Sequence, residues 1–226
     1  RATLLAWSLP GLLIAAALFL PKRDRAKPVR KVAWLPDWHN PLTLRIGLLL
    51  GLSGSLFFGL NAYMGNLLQH QGQFDKLPDA LFWYNLAQVF ASLIMLKMAR
   101  YWVGRRGVIA TLASISLLGA IGAVMLTGWW SIVSATLMSL VAGMLLILLV
   151  AIPPLVVSAA ETGRLSAGTF LVGYTVAFCV PMLGGVVADW TGDARHALML
   201  MITYGLLVLP LAFTLNLERK KDQPES

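Results

Sequence analysis

Seven apolar runs separated by short polar stretches set the pattern of this chain. They extend over residues 3–20, 43–68, 80–98, 108–127, 131–157, 167–188 and 197–215. A helix that crosses a bilayer needs about 20 mostly apolar residues, and the runs have that length. They are too long and too continuously apolar to alternate inward and outward faces, which excludes strands. Pro153 and Pro154 interrupt the fifth run, and Gly128, Trp129 and Trp130 make a tight turn ahead of it. The pattern predicts an all-α fold, a polytopic membrane helix bundle of seven spans.

One long polar stretch breaks the pattern. Residues 21–41 read PKRDRAKPVRKVAWLPDWHNP and carry Lys22, Arg23, Arg25, Lys27, Arg30 and Lys31. Lys and Arg near span ends are retained on the cytoplasmic side, so this block orients the bundle. With the block inside, the inner segments also hold Arg45, Lys97, Arg100, Arg105, Arg106, Arg164, Arg219, Lys220 and Lys221. The outer segments hold Arg1, Lys76 and Arg195. The expected topology has the first residue outside and the last residue inside a cytoplasmic (inner) membrane.

Composition agrees. The chain is 58% hydrophobic and 12% charged, with a mean hydropathy of +0.74, where a soluble domain is about 25% charged. The net charge of +8 is confined to loops, so it does not describe a nucleic-acid-binding surface. The tryptophans fall near span ends or in the inner loop, as in an aromatic belt at headgroup level. Cys179 is the single cysteine, so no intrachain disulfide forms. Arg1 leads straight into a full-length span without a cleavage pattern, so a signal peptide is not expected. The expectation is a piece of a longer protein whose N-terminal part is missing.

No phosphate-cradling loop, metal-ligand cluster or nucleophile beside a base is present, and no enzymatic reaction, metal or cofactor is expected. His39, His70 and His196 lie in loops and read as solvated residues. The chemistry sits in polar groups within the spans. Asn85, Gln88 and Ser92 fall at i, i+3 and i+7, on one helical face. Such a face belongs against a neighbouring helix, as interhelical hydrogen bonding, or in a wet cavity, as a solute-facing stripe. Asn61 and Tyr63 carry the same two readings. Gly51, Ser55 and Gly59 make a small-residue ribbon for close helix contact. Thr169, Gly173, Ala177 and Pro181 make a second, followed by Gly184 and Gly185. A mid-span proline with nearby glycines suits a helix that rocks or gates. Tyr174, Thr175 and Cys179 are its polar handles. The fourth run is nearly all apolar with small residues, as a peripheral helix facing lipid is expected to be. No ionisable residue lies in mid-span, so if transport is coupled to protons, the carboxylate is expected in the missing part, or the solute itself carries the charge.

These features together resemble the major facilitator superfamily. Gly104, Arg105 and Arg106, between the third and fourth runs, are similar to the end of its loop motif G-x-x-x-D-R-x-G-R-R. Tyr101 and Trp102 stand where that motif has Asp-Arg, and Lys97 stands where it has Gly. Residues 173–193, GYTVAFCVPMLGGVVADWTGD, resemble the eleventh helix of the cyanate and nitroimidazole permease branch at Gly173, Tyr174, Pro181, Gly185, Asp189 and Gly192. The Trp-Leu-Pro that follows helix seven in that branch is absent. The resemblance implies that residues 1–20 are the last helix of an N-terminal bundle. Residues 21–42 would be the central cytoplasmic loop, 43–216 the six-helix C-terminal bundle and 217–226 a cytoplasmic tail.

It further implies a secondary active transporter working by alternating access, with solute bound between two bundles near the bilayer midplane. Asn61, Tyr63, Asn85, Gln88, Tyr174 and Thr175 would face a small polar or anionic solute. Gly104, Arg105, Arg106, Pro181, Gly184 and Gly185 would serve gating. The partners would be the lipid bilayer, the solute and the missing N-terminal half, with no nucleic acid, and the piece alone would be inactive. The alternatives are a seven-helix receptor and a non-transporting membrane scaffold. The last run has no Lys for a retinal Schiff base.

Overall fold

A computed structural model describes residues 35–36, 40–215 and 217, which lie within one compact unit. The first predicted span, most of the basic block and the tail lie outside the described residues. Every regular element among the described residues is helical. Helix α1 is Pro41–His70, and a 3-10 turn, Phe74–Lys76, leads to α2, Leu77–Trp102. Then come α3 Arg106–Met125, α4 Trp129–Val150, the one-turn α5 Pro153–Val156, α6 Ala159–Thr191 and α7 Arg195–Phe213. All except α5 are long and apolar enough to cross a membrane.

Local chemistry sets the helix ends. Asn40 is extended and its Oδ1 accepts from the Leu42 N–H at 3.0 Å, with Pro41 in the first turn; both satisfy an N-terminus that has no intrahelical partners. The α2–α3 turn passes through Gly104 at φ +80° and α6 stops at Gly192 at φ +71°, a left-handed backbone that side chains disfavour. Pro153 and Pro154 have no N–H to continue α4, so the chain restarts as α5.

Helix α1 is the hub and packs on α2, α3, α4, α6 and α7. Its closest seam is with α6. A Cβ added to Gly54 would lie 2.6 Å from the Ala177 Cβ, and one on Gly51 would lie 2.7 Å from the Val176 Cβ. Leu50 fills the notch above Gly173. The ribbon on α6 therefore faces α1 as expected. The ribbon on α1 divides its contacts: Gly51 meets α6, while Gly59 makes room for Met201 of α7.

Two expectations need correction. Helix α3 is not a bare peripheral helix: over half of its apolar window is covered, and α2 and α6 are the least covered spans. Small residues bring it close to α4, where a Cβ on Gly119 would sit 3.0 Å from the Ser134 carbonyl oxygen. Small-and-apolar signalled helix contact rather than lipid exposure. Helix α6 also begins at Ala159, not at residue 167. Ser158 and Glu161 have the spacing of a capping box. Here the Ser158 hydroxyl donates to Glu161 Oε2 at 3.2 Å, so a polar first turn precedes the apolar run.

Contacts between turns define two ends of the bundle. At one end, Arg45 donates to the Thr214 carbonyl at 3.3 Å, Arg164 donates to the Leu35 carbonyl at 2.9 Å and Gly104 lies beside Leu155. At the other, Gln71 donates to the Leu126 carbonyl at 3.0 Å and His70 Nε2 lies 3.9 Å from Asp193 Oδ2.

Candidate functional site

Helices α1, α2, α4 and α6 surround a cavity of about 130 Å³. Its walls include Ser53, Phe57 and Phe58 of α1, Gln88 of α2, Ala142 and Gly143 of α4, and Tyr174 of α6. No charged side chain lines it. The rings are arranged: Phe57 stacks on Tyr84 at 5.4 Å, and Phe58 stacks on Phe178 at 5.5 Å. Of the sequence-derived solute residues, Gln88 and Tyr174 meet at this cavity.

Gln88 spans the α2–α4 contact. Its Nε2 donates to the Ser139 carbonyl at 2.6 Å and to the Ser139 hydroxyl at 3.0 Å, and that hydroxyl donates to the Tyr84 carbonyl at 2.7 Å. Its Oε1 lies over Gly143, where an added Cβ would sit 2.5 Å away. The amide nitrogen joins helices, and the side chain forms part of a cavity wall.

The other polar positions separate. Asn61 donates to Asn85 Oδ1 at 3.1 Å, joining α1 to α2, while Asn85 Nδ2 donates back to the Leu81 carbonyl at 2.8 Å. Ser92 is exposed and donates to the Gln88 carbonyl of its own helix at 3.0 Å. Tyr63 points away from this pair and donates to the Pro181 carbonyl at 3.1 Å. A Cβ on Gly185 would lie 2.8 Å from the Tyr63 hydroxyl, so Gly185 makes the space for that bond. Pro181 stands inside a continuous α6. Gly184 lets α7 approach, with the Ala197 carbonyl oxygen 3.1 Å from where its Cβ would be. Thr175 is exposed and does not line the cavity.

The Gly104, Arg105 and Arg106 turn lies at one end of the bundle, on a separate groove of about 1000 Å³. Two of the three histidines have side-chain neighbours rather than water alone: His196 Nδ1 lies 2.9 Å from the Thr191 hydroxyl, and His70 faces Asp193, while His39 lies outside the described residues. Asp193, in the α6–α7 turn, has its carboxyl pulled down to about 2. The first cause is the Arg195 side chain, which donates at 2.8 Å and 2.9 Å, followed by the Arg195 backbone N–H. Among the described residues no group of three or more His, Cys, Asp or Glu converges to hold a metal.

Several structural donors escape a reading by polarity, because their side chains look lipophilic or merely small. Tyr84 donates to the Phe57 carbonyl and Tyr204 to the Leu48 carbonyl, each at 2.8 Å, and Ser53 donates to the Ala142 carbonyl at 2.7 Å. Each hydroxyl borrows a backbone acceptor from the helix it packs on, which satisfies it in an apolar setting. No family model, curated protein or solved structure matches this chain.

Proposed function

We propose that this chain is the C-terminal bundle of a secondary active transporter of the major facilitator type. It would move a small polar solute across the cytoplasmic membrane by alternating access. The observation that carries this reading is the placement of the polar groups. The two least covered helices, α2 and α6, flank α1, and Asn61, Asn85, Gln88 and Tyr174 stand on these three helices rather than on α3 or α7. A solute bound between this bundle and a second one would meet that face. The amides supply neutral donors and acceptors, the rings supply apolar walls, and the absence of charge at the cavity means that an anionic solute would need its counter-charge from the second bundle.

The seam between α1 and α6 supports a moving part. The Tyr63 hydroxyl donates to the Pro181 carbonyl, one turn beyond the Ala177 carbonyl that the proline leaves without its ladder donor. Alternating access proceeds largely by rocking or gating of one bundle against the other, and a proline-containing helix suits gating.

The test is uptake of labelled small polar solutes by cells that express this bundle joined to the N-terminal bundle it would pair with, since the bundle alone is expected to be inactive. Accumulation of one solute over empty-vector cells, reduced at least tenfold in both Gln88→Ala and Asn85→Ala at equal protein levels, is the expected result. If no solute accumulates, or both variants transport like the parent, the proposal fails.

A further inference from the structure

We propose that the groove at the α2–α3 turn binds an anionic phospholipid, with the phosphate against Arg105 and Arg106 and an acyl chain along Leu112 and Ile115. This goes beyond the transport reading and needs only that the bundle sit in a membrane.

The groove measures about 1000 Å³, the upper end of small-molecule sites. Its lining changes character along its length. Arg105 and Arg106 are exposed at the turn, where Trp102 and Leu217 also line the groove, and Leu112 and Ile115 continue the wall along α3. That is the order of a lipid: charged head, interfacial region, hydrocarbon. From Arg106 to Ile115 is ten residues of α3, about 14 Å at 1.5 Å per residue. The hydrocarbon core is about 30 Å thick, so the groove has the depth of one leaflet.

The charge is unanswered among the described residues. Neither guanidinium makes an ion pair or side-chain hydrogen bond among the described residues. No Asp or Glu occurs in the sequence between Asp79 and Glu161. Arginine presents a planar fork that matches phosphate oxygens, and basic pockets beside membrane helices take anionic head groups. The second groove, of about 640 Å³ between α2 and α4, makes the contrast: Trp83, Phe90, Ile94, Trp129 and Leu137 line it and no charged residue does. It offers a chain site without a headgroup site.

The experiment places the purified protein in phosphatidylcholine vesicles with graded phosphatidylglycerol, where one lipid or the other carries brominated chains. Quenching assigned to Trp102 is the part of the tryptophan signal lost in Trp102→Phe. Brominated phosphatidylglycerol is expected to quench it at a lipid fraction at least tenfold lower than brominated phosphatidylcholine does. Each arginine near an anionic surface is worth about fivefold, so R105Q/R106Q removes the preference. K97Q/R100Q, with the same loss of charge at the same end but outside the groove, keeps it. Equal quenching by the two lipids in the parent overturns the site and needs no variant. Equal loss in both double variants also overturns it, as diffuse attraction to the surface. Displacement by millimolar glycerol 3-phosphate overturns the lipid in favour of a soluble phosphate.

Discussion

At the scale of single residues, small side chains and hydroxyls decide how closely the helices approach. Gly54 and Ala177 meet with no room for a larger group, since a Cβ at 54 would lie 2.6 Å from the Ala177 Cβ. Both atoms ride on helix backbones, so neither yields easily. Gly54→Leu is expected to destabilise by about 1–3 kcal/mol or more as overpacking, read as a lower unfolding temperature in detergent. Gly163→Ala is the counterpart: nothing lies within 4 Å of its added Cβ, and alanine gains up to about 1 kcal/mol in a helix interior. It is expected to raise the unfolding temperature or leave it unchanged; a drop as large as that of Gly54→Leu would show that the seam is not where the close contact lies. Tyr63→Phe removes only the hydroxyl bonded to the Pro181 carbonyl. Hydrogen bonds within membranes average about 0.6 kcal/mol, so its stability change should be near that figure. A loss of several kcal/mol would mean that the ring, not the bond, holds α6.

At the scale of elements, the sequence displayed the spans well and their company poorly. The apolar runs located α1, α2, α3, α4, α6 and α7 because length and hydropathy are properties of one helix alone. Which helix is covered is a property of neighbours, and there α3 misled: Gly119 and Gly122 look like lipid-facing smallness until α4 lies against them. The first turns of α6 were hidden for a related reason, since Glu161 and Arg164 lie inside the helix but ahead of the apolar run that begins at residue 167. Gln88 was legible as a polar residue at depth, but its spacing fits a helix tie and a cavity wall equally, and it is both. The short links carry their own chemistry. Asp193 clasps Arg195 across the α6–α7 turn, and its carboxyl titrates at about 2 instead of 3.8. A folded value below the unfolded one means that the clasp contributes stability above about pH 4 and loses it as pH falls through about 2. Carboxyl carbon shifts should show a midpoint near 2 in the parent, and Arg195→Gln should move it back toward the ordinary range. A midpoint unmoved in that variant would remove Arg195 as the cause.

At the scale of the molecule, the distribution of charge between the two ends makes orientation testable. The end with the α2–α3 turn holds Arg45, Lys97, Arg100, Arg105, Arg106 and Arg164, with Glu161 the one carboxylate among the described residues there. The opposite end holds Asp75, Asp79, Asp189 and Asp193 with Lys76 and Arg195. Lys and Arg bias, rather than net charge, sets orientation, so the expected arrangement puts the α2–α3 turn in the cytoplasm and the Gln71–Gln73 turn outside. The groove that holds Arg105 and Arg106 would then face the anionic inner leaflet, and the His70–Asp193 contact would face the exterior. With Cys179 replaced by alanine, a cysteine at Gln73 should react with a membrane-impermeant maleimide on intact cells, and one at Ser158 should react only after the membrane is opened. Both positions are outside the long helices, Ser158 being exposed and Gln73 partly so. The reverse pattern would invert the bundle and move the arginine groove to the outer leaflet. Labelling of both from outside would mean that the apolar helices do not cross the membrane as the charge asymmetry requires.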